Sequence, residues 1–223
     1  MSDAMMTDAE EFYRKGEEAL LEQEYEEALA CLEKALELRP DFAEAYACRA
    51  RVHAAMKDYQ RAIGDFDAAI ERKPAVEYYL ERGIAYGYLE NFRRAVKDFD
   101  RVIEIEPDHI EAYRLRGRAF MHMGNYSRAI GEFDRILNRM PDDAAAWSDR
   151  GTSYGNLGDF DRAVHDADRA IELSPQFAEP YFTRGLAYGN LEKYEQAVAD
   201  FKEAARLGDE GAQELLIRQG IVW

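Results

Sequence analysis

The chain has 223 residues, 47% of them hydrophobic, and its 29 Lys and Arg stand against 45 Asp and Glu for a formal net charge of −16. That balance argues against nucleic acid and against anionic membrane surfaces, where binding rests on neutralising phosphate, and favours solubility. Two cysteines are too few for a disulfide framework.

The opening ten residues, MSDAMMTDAE, carry no basic stretch and no apolar run. No later segment approaches the ~18 apolar residues of a membrane-spanning helix, so a cytoplasmic protein is expected. The first helix is predicted to start at Thr7, where Thr7 and Glu10 have the spacing of a capping box: the hydroxyl accepts from one unpaired N–H and the carboxylate reaches back to another. Asp41 with Glu44, and Asp108 with Glu111, repeat that spacing further on. Residues 1–42 hold 13 acidic and 4 basic side chains, whereas 43–75 and 110–143 each come to +1, so the acidic charge is gathered at the beginning.

From Ala9 the chain repeats itself every 34 residues. The clearest copy is 144–177, with Trp147 at position 4, Gly151 at 8, Tyr154 at 11, Ala163 at 20, Ala170 at 27 and Pro175 at 32. The same residue types recur in 9–42, 43–75 (one residue short), 76–109, 110–143 and 178–211. Position 4 is always aromatic (Phe12, Tyr46, Tyr79, Tyr113, Trp147, Tyr181), position 8 is Gly or Ala, and position 20 is always Ala. Such small residues suit two helices crossing at close range. Proline holds position 32 in five copies, and Asp209 replaces it in the sixth.

Within each unit a second helix is expected to begin after Glu24, Asp58, Asn91, Asn125, Asp159 or Lys193, four of which are strong N-cap residues. Where the short second copy ends, Pro74 stands in place of a cap, so the linker there is expected to be shorter and capped differently. Each unit then reads as two antiparallel helices of roughly 14 residues. Cys31 and Cys48 fall on predicted helices and read as small buried thiols. The last stretch, AQELLIRQGIVW at 212–223, reads as a short amphipathic helix in which Ala212, Leu215 and Leu216 cover the final unit, with Gly220 as its stop.

This pattern resembles the tetratricopeptide repeat family over nearly the whole chain, and six aligned copies make it far more specific than one short motif. The resemblance implies an all-α fold: an α-solenoid of six helix-turn-helix repeats forming a right-handed superhelix, with a C-terminal capping helix. The expected organisation is an N-terminal extension at 1–8, one repeat domain at 9–211, and a capping helix and tail at 212–223. On each first helix, positions 4, 7, 8 and 11 fall on one stripe and positions 2, 5, 9, 12 and 13 roughly opposite. In the family that second stripe lines a concave groove for extended or helical peptides.

Five consecutive units have arginine at position 7: Arg49, Arg82, Arg116, Arg150 and Arg184. They could form a cationic ladder for an acidic ligand. Rows of acids at positions 23 and 25 of the second helices, among them Asp65, Asp98, Asp166 and Asp200, make bidentate structural pairs the simpler reading.

The groove stripe is less regular, as recognition requires. Its candidate partner-binding residues are Tyr13, Arg51, Leu80, Ile84, Tyr88, Arg114, Arg118, Met121, His122, Asn156, Phe182 and Asn190. Arg114, Arg118 and His122 follow each other at four-residue spacing and, with Arg51, form an expected basic centre for an acidic element of a partner; an ordinary wetted face is the competing reading. Leu80, Ile84, Tyr88, Met121 and Phe182 would supply apolar anchors. Asn156 and Asn190, each in a Tyr-Gly-Asn-Leu string, either hydrogen-bond a peptide backbone or simply close a helix end. The clamp by which some family members hold chaperone tails needs cations where this chain has Tyr13, Glu77 and Glu81, and asparagine where it has Glu17 and Cys48, so that partner class is disfavoured.

Catalytic signals are absent. His53, His109, His122 and His165 occupy unrelated positions and form no i,i+4 metal pair, and there is no phosphate loop or nucleophile turn. The expectation is a non-catalytic scaffold or adaptor, without cofactor or metal, that binds a protein or peptide partner and is a monomer or weak homo-oligomer. Self-association through end faces is the alternative.

Overall fold

The computed structural model describes residues 7–223. Among them the chain forms thirteen α-helices and no strand. Six antiparallel pairs come first: α1 (Asp8–Leu21) with α2 (Tyr25–Leu38), α3 (Ala43–Ala55) with α4 (Tyr59–Arg72), α5 (Val76–Tyr88) with α6 (Phe92–Ile105), α7 (Ile110–His122) with α8 (Tyr126–Arg139), α9 (Ala144–Asn156) with α10 (Phe160–Leu173), and α11 (Ala178–Asn190) with α12 (Tyr194–Arg206). The thirteenth helix, α13, runs Glu210–Arg218. None of the described helices is long and apolar enough to cross a membrane.

The chain falls into two compact units, Met1–Ala112 and Tyr113–Trp223, divided inside α7. In the first, α1 packs on α2 and also touches α3, while α4 packs on both α3 and α5. Its core is made of Leu32, Leu36, Phe42, Cys48 and Val52, then Phe66, Ala69 and Tyr78. In the second, α9 touches α8, α10 and α11, and α12 carries α13. Ala212 and Leu216 of α13 are fully buried against Phe201 and Ala204, so the last helix covers the face that a further repeat would cover.

The tiny residue at position 8 is a packing requirement. A Cβ on Gly83 would stand 2.6 Å from Phe99 Cε1, and one on Gly185 would stand 2.7 Å from Phe201 Cε1. The aromatic ring of the second helix occupies the space that a side chain would take.

Position 7 supplies the polar complement. Arg49 holds Asp65 with Nε at 2.8 Å and Nη2 at 2.7 Å. Arg82 holds Asp98 at 2.9 and 2.6 Å and reaches back to Asp67 of the preceding repeat at 2.6 Å. Arg150 does the same with Asp166 and Asp134, and Arg184 with Asp200 and Asp168. The position-7 arginines that bridge in this way join neighbouring repeats through bidentate and single charged hydrogen bonds. They are engaged inside the fold, so the structural reading is the correct one.

Capping departs from expectation in places. The Thr7 box is present: Glu10 N–H donates to Thr7 Oγ1 at 3.3 Å and Thr7 N–H to Glu10 Oε2 at 3.1 Å. Asp41 caps nothing, because α3 begins one residue later and its N-cap is Phe42, a core side chain with no capping bond. At α7 the Ala112 N–H donates to His109 Nδ1 at 3.1 Å, a side-chain bond at the start of that helix. The second helices begin where expected, but only Asp58 and Asp159 make side-chain caps; Asn91 and Asn125 do not. After Pro74, the N-cap Ala75 likewise has none. Asp209, which replaces proline in the sixth repeat, caps α13 by accepting from Ala212 N–H at 2.7 Å. Of the two thiols, Cys48 is buried and Cys31 only half-buried.

Every intra-repeat turn passes through a left-handed residue at position 15. Gly124 (φ 70°) and Gly158 (φ 81°) suit it, whereas Gln23, Lys57, Glu90 and Glu192 adopt φ of 56–62° with a side chain present.

Candidate ligand clefts between first helices

Position 9 of one repeat meets position 6 of the next. Arg118 Nε donates to Asp149 Oδ2 at 2.9 Å across 31 residues, and Thr152 and Thr183 hydroxyls meet at 3.0 Å across the same spacing. In the short second repeat the spacing drops to 30: Arg51 holds Glu81 with Nε and Nη2, both at 2.8 Å. Each pair sits in a cleft whose walls come from equivalent places in the repeat. The cleft at Arg51 and Glu81, about 230 Å³, is walled by Ala54, Tyr59, Ile84 and Tyr88. The one at Thr152 and Thr183, about 170 Å³, is walled by Gly155, Phe160, Leu186 and Asn190. The third, about 440 Å³, has Arg118 and Asp149 with Met121, His122, Tyr126 and Glu179. Asn156 belongs to both clefts of the second unit. A further concavity in the first unit, about 490 Å³, is lined by Glu10, Tyr13, Arg39, Phe42 and Glu44.

Eight of the twelve candidate residues line clefts in addition to the tyrosine just named: Arg51, Ile84, Tyr88, Arg118, Met121, His122, the two-cleft Asn156 and Asn190. Asn190 closes the small cleft. Tyr88, 65% exposed, stacks on Tyr59 with centroids 4.5 Å apart and planes at 5°, forming an aromatic lip. Tyr13 packs on Phe42 at 4.9 Å and its hydroxyl donates to Glu17; burial and that carboxylate raise its pKa. Leu80 is half-buried on α5.

The arginines of the expected basic centre are ion-paired within the chain. Arg51 is neutralised by Glu81 and Arg118 by Asp149, while Arg114 donates to Asp143 at 2.6 Å. Burial would raise Asp143, yet bonds from Arg114 and from Ala146 N–H hold it low. Three cations that looked free in the sequence are each matched by a carboxylate about one repeat later. Phe182, half-buried, packs on Phe201 at 5.7 Å and lies against the cluster that seats α13. Asn156 and Asn190 donate to the carbonyls of Thr152 and Leu186 at 2.8 and 2.9 Å on their own helices, the helix-end role.

Sequence reading missed the second-helix contribution at position 17: Tyr59, Tyr126 and Phe160 each wall a cleft. The recurring aromatic ring at that position is the signal that could have found them.

Models of the tetratricopeptide repeat match residues 86–146, 144–177 and 178–207, and a TPR repeat model matches 16–57. No curated protein matches the sequence. Among solved structures the chain is similar to MamA 41-end from Desulfovibrio magneticus RS-1, with 20% identity, TM-score 0.69, and 74% of this chain and 94% of that chain covered. It is similar to YrrB, described as a TPR protein with an unusual peptide-binding site, at 20% identity and TM-score 0.67 over 84% of this chain and 97% of that one. A tetratricopeptide repeat protein from Parabacteroides merdae ATCC 43184 aligns at 24% identity and TM-score 0.68 over 96% and 84% of the two chains. These likenesses concern the fold.

Proposed function

This chain belongs to the tetratricopeptide repeat family, and from that premise we propose that it is a non-catalytic, cytoplasmic interaction scaffold that binds a peptide segment or helix of a protein partner in the clefts between first helices. The observation that carries this reading is the recurrence of one cleft at equivalent repeat positions, each with a satisfied polar pair and apolar or aromatic walls. A repeating pocket suits a repeating ligand, the peptide chain, whose backbone spaces side chains at regular intervals. The site residues in this proposal are Tyr13, Arg51, Ile84, Tyr88, Arg118, Met121, His122, Asn156 and Asn190, with Leu80 beside them. YrrB, which shares the fold, is itself a protein with a peptide-binding site.

Selection of peptides from a displayed library on the full chain tests it. Asn156→Trp, at an exposed residue shared by two clefts, is expected to abolish binding of the selected peptides, while Glu195→Lys on α12 leaves it intact. Peptides that bind both variants equally place the interaction elsewhere.

Self-association is favoured by a separate observation: Ile217, Val222 and Trp223 are 65%, 84% and 46% exposed at the α13 end. Sedimentation over a range of concentrations tests it; a species that stays monomeric throughout dismisses that reading, and a dimer abolished by Ile217→Glu supports it.

A further inference from the structure

The cleft at Arg118 holds more carboxylate than the chain neutralises. Asp149, 4% exposed, takes the one bond from Arg118 Nε, and the Arg118 side chain is itself 45% exposed. Glu179, half-buried on α11, lines the same cleft and has neither hydrogen bond nor ion pair. Burial pushes its carboxyl up, and Asp149 and Asp209 push it further against the pull of Arg118. The Arg118 guanidinium bonds Asp149 and not Glu179.

A second, independent observation lies next to Asp149 on α9. Ser148 is 1% exposed and its hydroxyl has no hydrogen-bond partner. The spacing of 31 that joins Arg118 to Asp149 and Thr152 to Thr183 also separates Ser148 from Glu179. An unsatisfied buried hydroxyl and an unpartnered carboxylate therefore share one register row, the arrangement of a site awaiting a donor-rich group. The neighbouring cleft is different in kind: its Thr152–Thr183 pair is uncharged, and Phe160 and Leu186 narrow it to about 170 Å³.

We propose that the cleft at Asp149 and Glu179 receives a Lys or Arg side chain of the bound peptide, and that the adjoining cleft at Thr152 and Thr183 takes a small apolar or hydroxyl side chain of the same segment. This rests on the scaffold reading above and names its partner class, a segment carrying a basic residue. The ligand's ammonium or guanidinium donates to Glu179, its stem lies along Met121 and Tyr126, and Arg118 stays on Asp149. Charge complementarity thus runs opposite to the acidic ligand that Arg114, Arg118 and His122 suggest in the bare sequence.

The test uses pools of acetylated heptapeptides with a central Lys, norleucine or Glu and random Ala, Thr or Val on either side, passed over the immobilised full chain. The Lys pool is expected to be retained about tenfold more strongly than the norleucine pool. Glu179→Gln brings it down to the norleucine level, Glu179→Lys turns the preference toward the Glu pool, and Glu195→Gln on α12 changes nothing. Circular dichroism establishes that each variant is folded. Equal retention of Lys and norleucine pools overturns the proposal, as does an equal loss in Glu179→Gln and Glu195→Gln, which would mean diffuse attraction to an acidic chain. Preference for the Glu pool by the unmodified chain, abolished by Asn156→Trp, overturns the basic occupant and leaves the scaffold reading standing. Retention of no pool, or retention indifferent to Asn156→Trp, removes both.

Discussion

Arg150 grips Asp166 with Nε at 2.7 Å and Nη2 at 3.0 Å, and the carboxylate side chain so held is only 2% exposed. The same arginine reaches Asp134 of the preceding repeat at 2.5 Å. A residue that the sequence offers as a possible ligand contact is thereby a structural tie between repeats.

Arg150→Ala leaves Asp166 buried without its partner. A loss of ~3–5 kcal/mol in unfolding free energy is expected, read from urea denaturation by circular dichroism. Arg206→Ala, whose partner Glu203 sits in an exposed pair at 61% and 35%, should leave stability nearly unchanged. Equal costs would refute the assigned roles.

Gly83→Ala forces a methyl to within 2.6 Å of Phe99, and a destabilisation of ~1–3 kcal/mol is expected from overpacking. Gly87→Ala, on the same helix with nothing within 4 Å of its Cβ, should instead stabilise by up to ~1 kcal/mol. The two midpoints should move in opposite directions in one thermal-melt experiment.

Lys57 turns the chain at φ 62° with a side chain, a conformation that costs an L-residue roughly 1 kcal/mol or more. Lys57→Gly is expected to raise the melting temperature, and Gly158→Ala, at φ 81°, to lower it. No change in either would show that the turns relax to accept both residues.

His53 is 7% exposed, with Nδ1 unpartnered and Nε2 3.8 Å from Asp65. Burial depresses its pKa, helped by Arg61 and Arg49 and opposed by Asp65 and Asp58. The fold therefore favours the neutral ring: its contribution is whole above the unfolded value near ~6.5 and is lost as pH falls through that value toward the lower folded one. Stability should drop between about pH 7 and 5.5, and His53→Phe, matching Phe120 at the same repeat position, should flatten that drop. A parallel slope in both proteins would assign the pH dependence to other groups.

Asp209→Ala removes the bond to Ala212 N–H that starts α13. A cost of ~1 kcal/mol is expected, concentrated as faster hydrogen exchange of α13 amides and not spread over the chain. Unchanged exchange there would mean that Ala212 and Leu216 hold the helix without its cap.

Much of the fold is legible because the repeat states each packing requirement several times over. Position 8 opposite the second-helix ring, as in Gly83 with Phe99, and position 7 opposite position 23, as in Arg49 with Asp65, are encoded by residue type and spacing alone. The clefts are harder to read. Tyr59 and Phe160 reach them from second helices, a placement that the periodicity of a single first helix does not reveal.

The sequence by itself determined the element order, the repeat period, the covering role of α13 and the presence of a regular arginine row, since each follows from local propensity and from a pattern that recurs at fixed intervals. Only the tertiary structure decided which charges are spent. Arg51, Arg114 and Arg118 find Glu81, Asp143 and Asp149 some 29–31 residues away, while Glu179 finds no partner, because Coulomb energy depends on distance in space and a helix surface shows nothing of the next repeat until the two are packed.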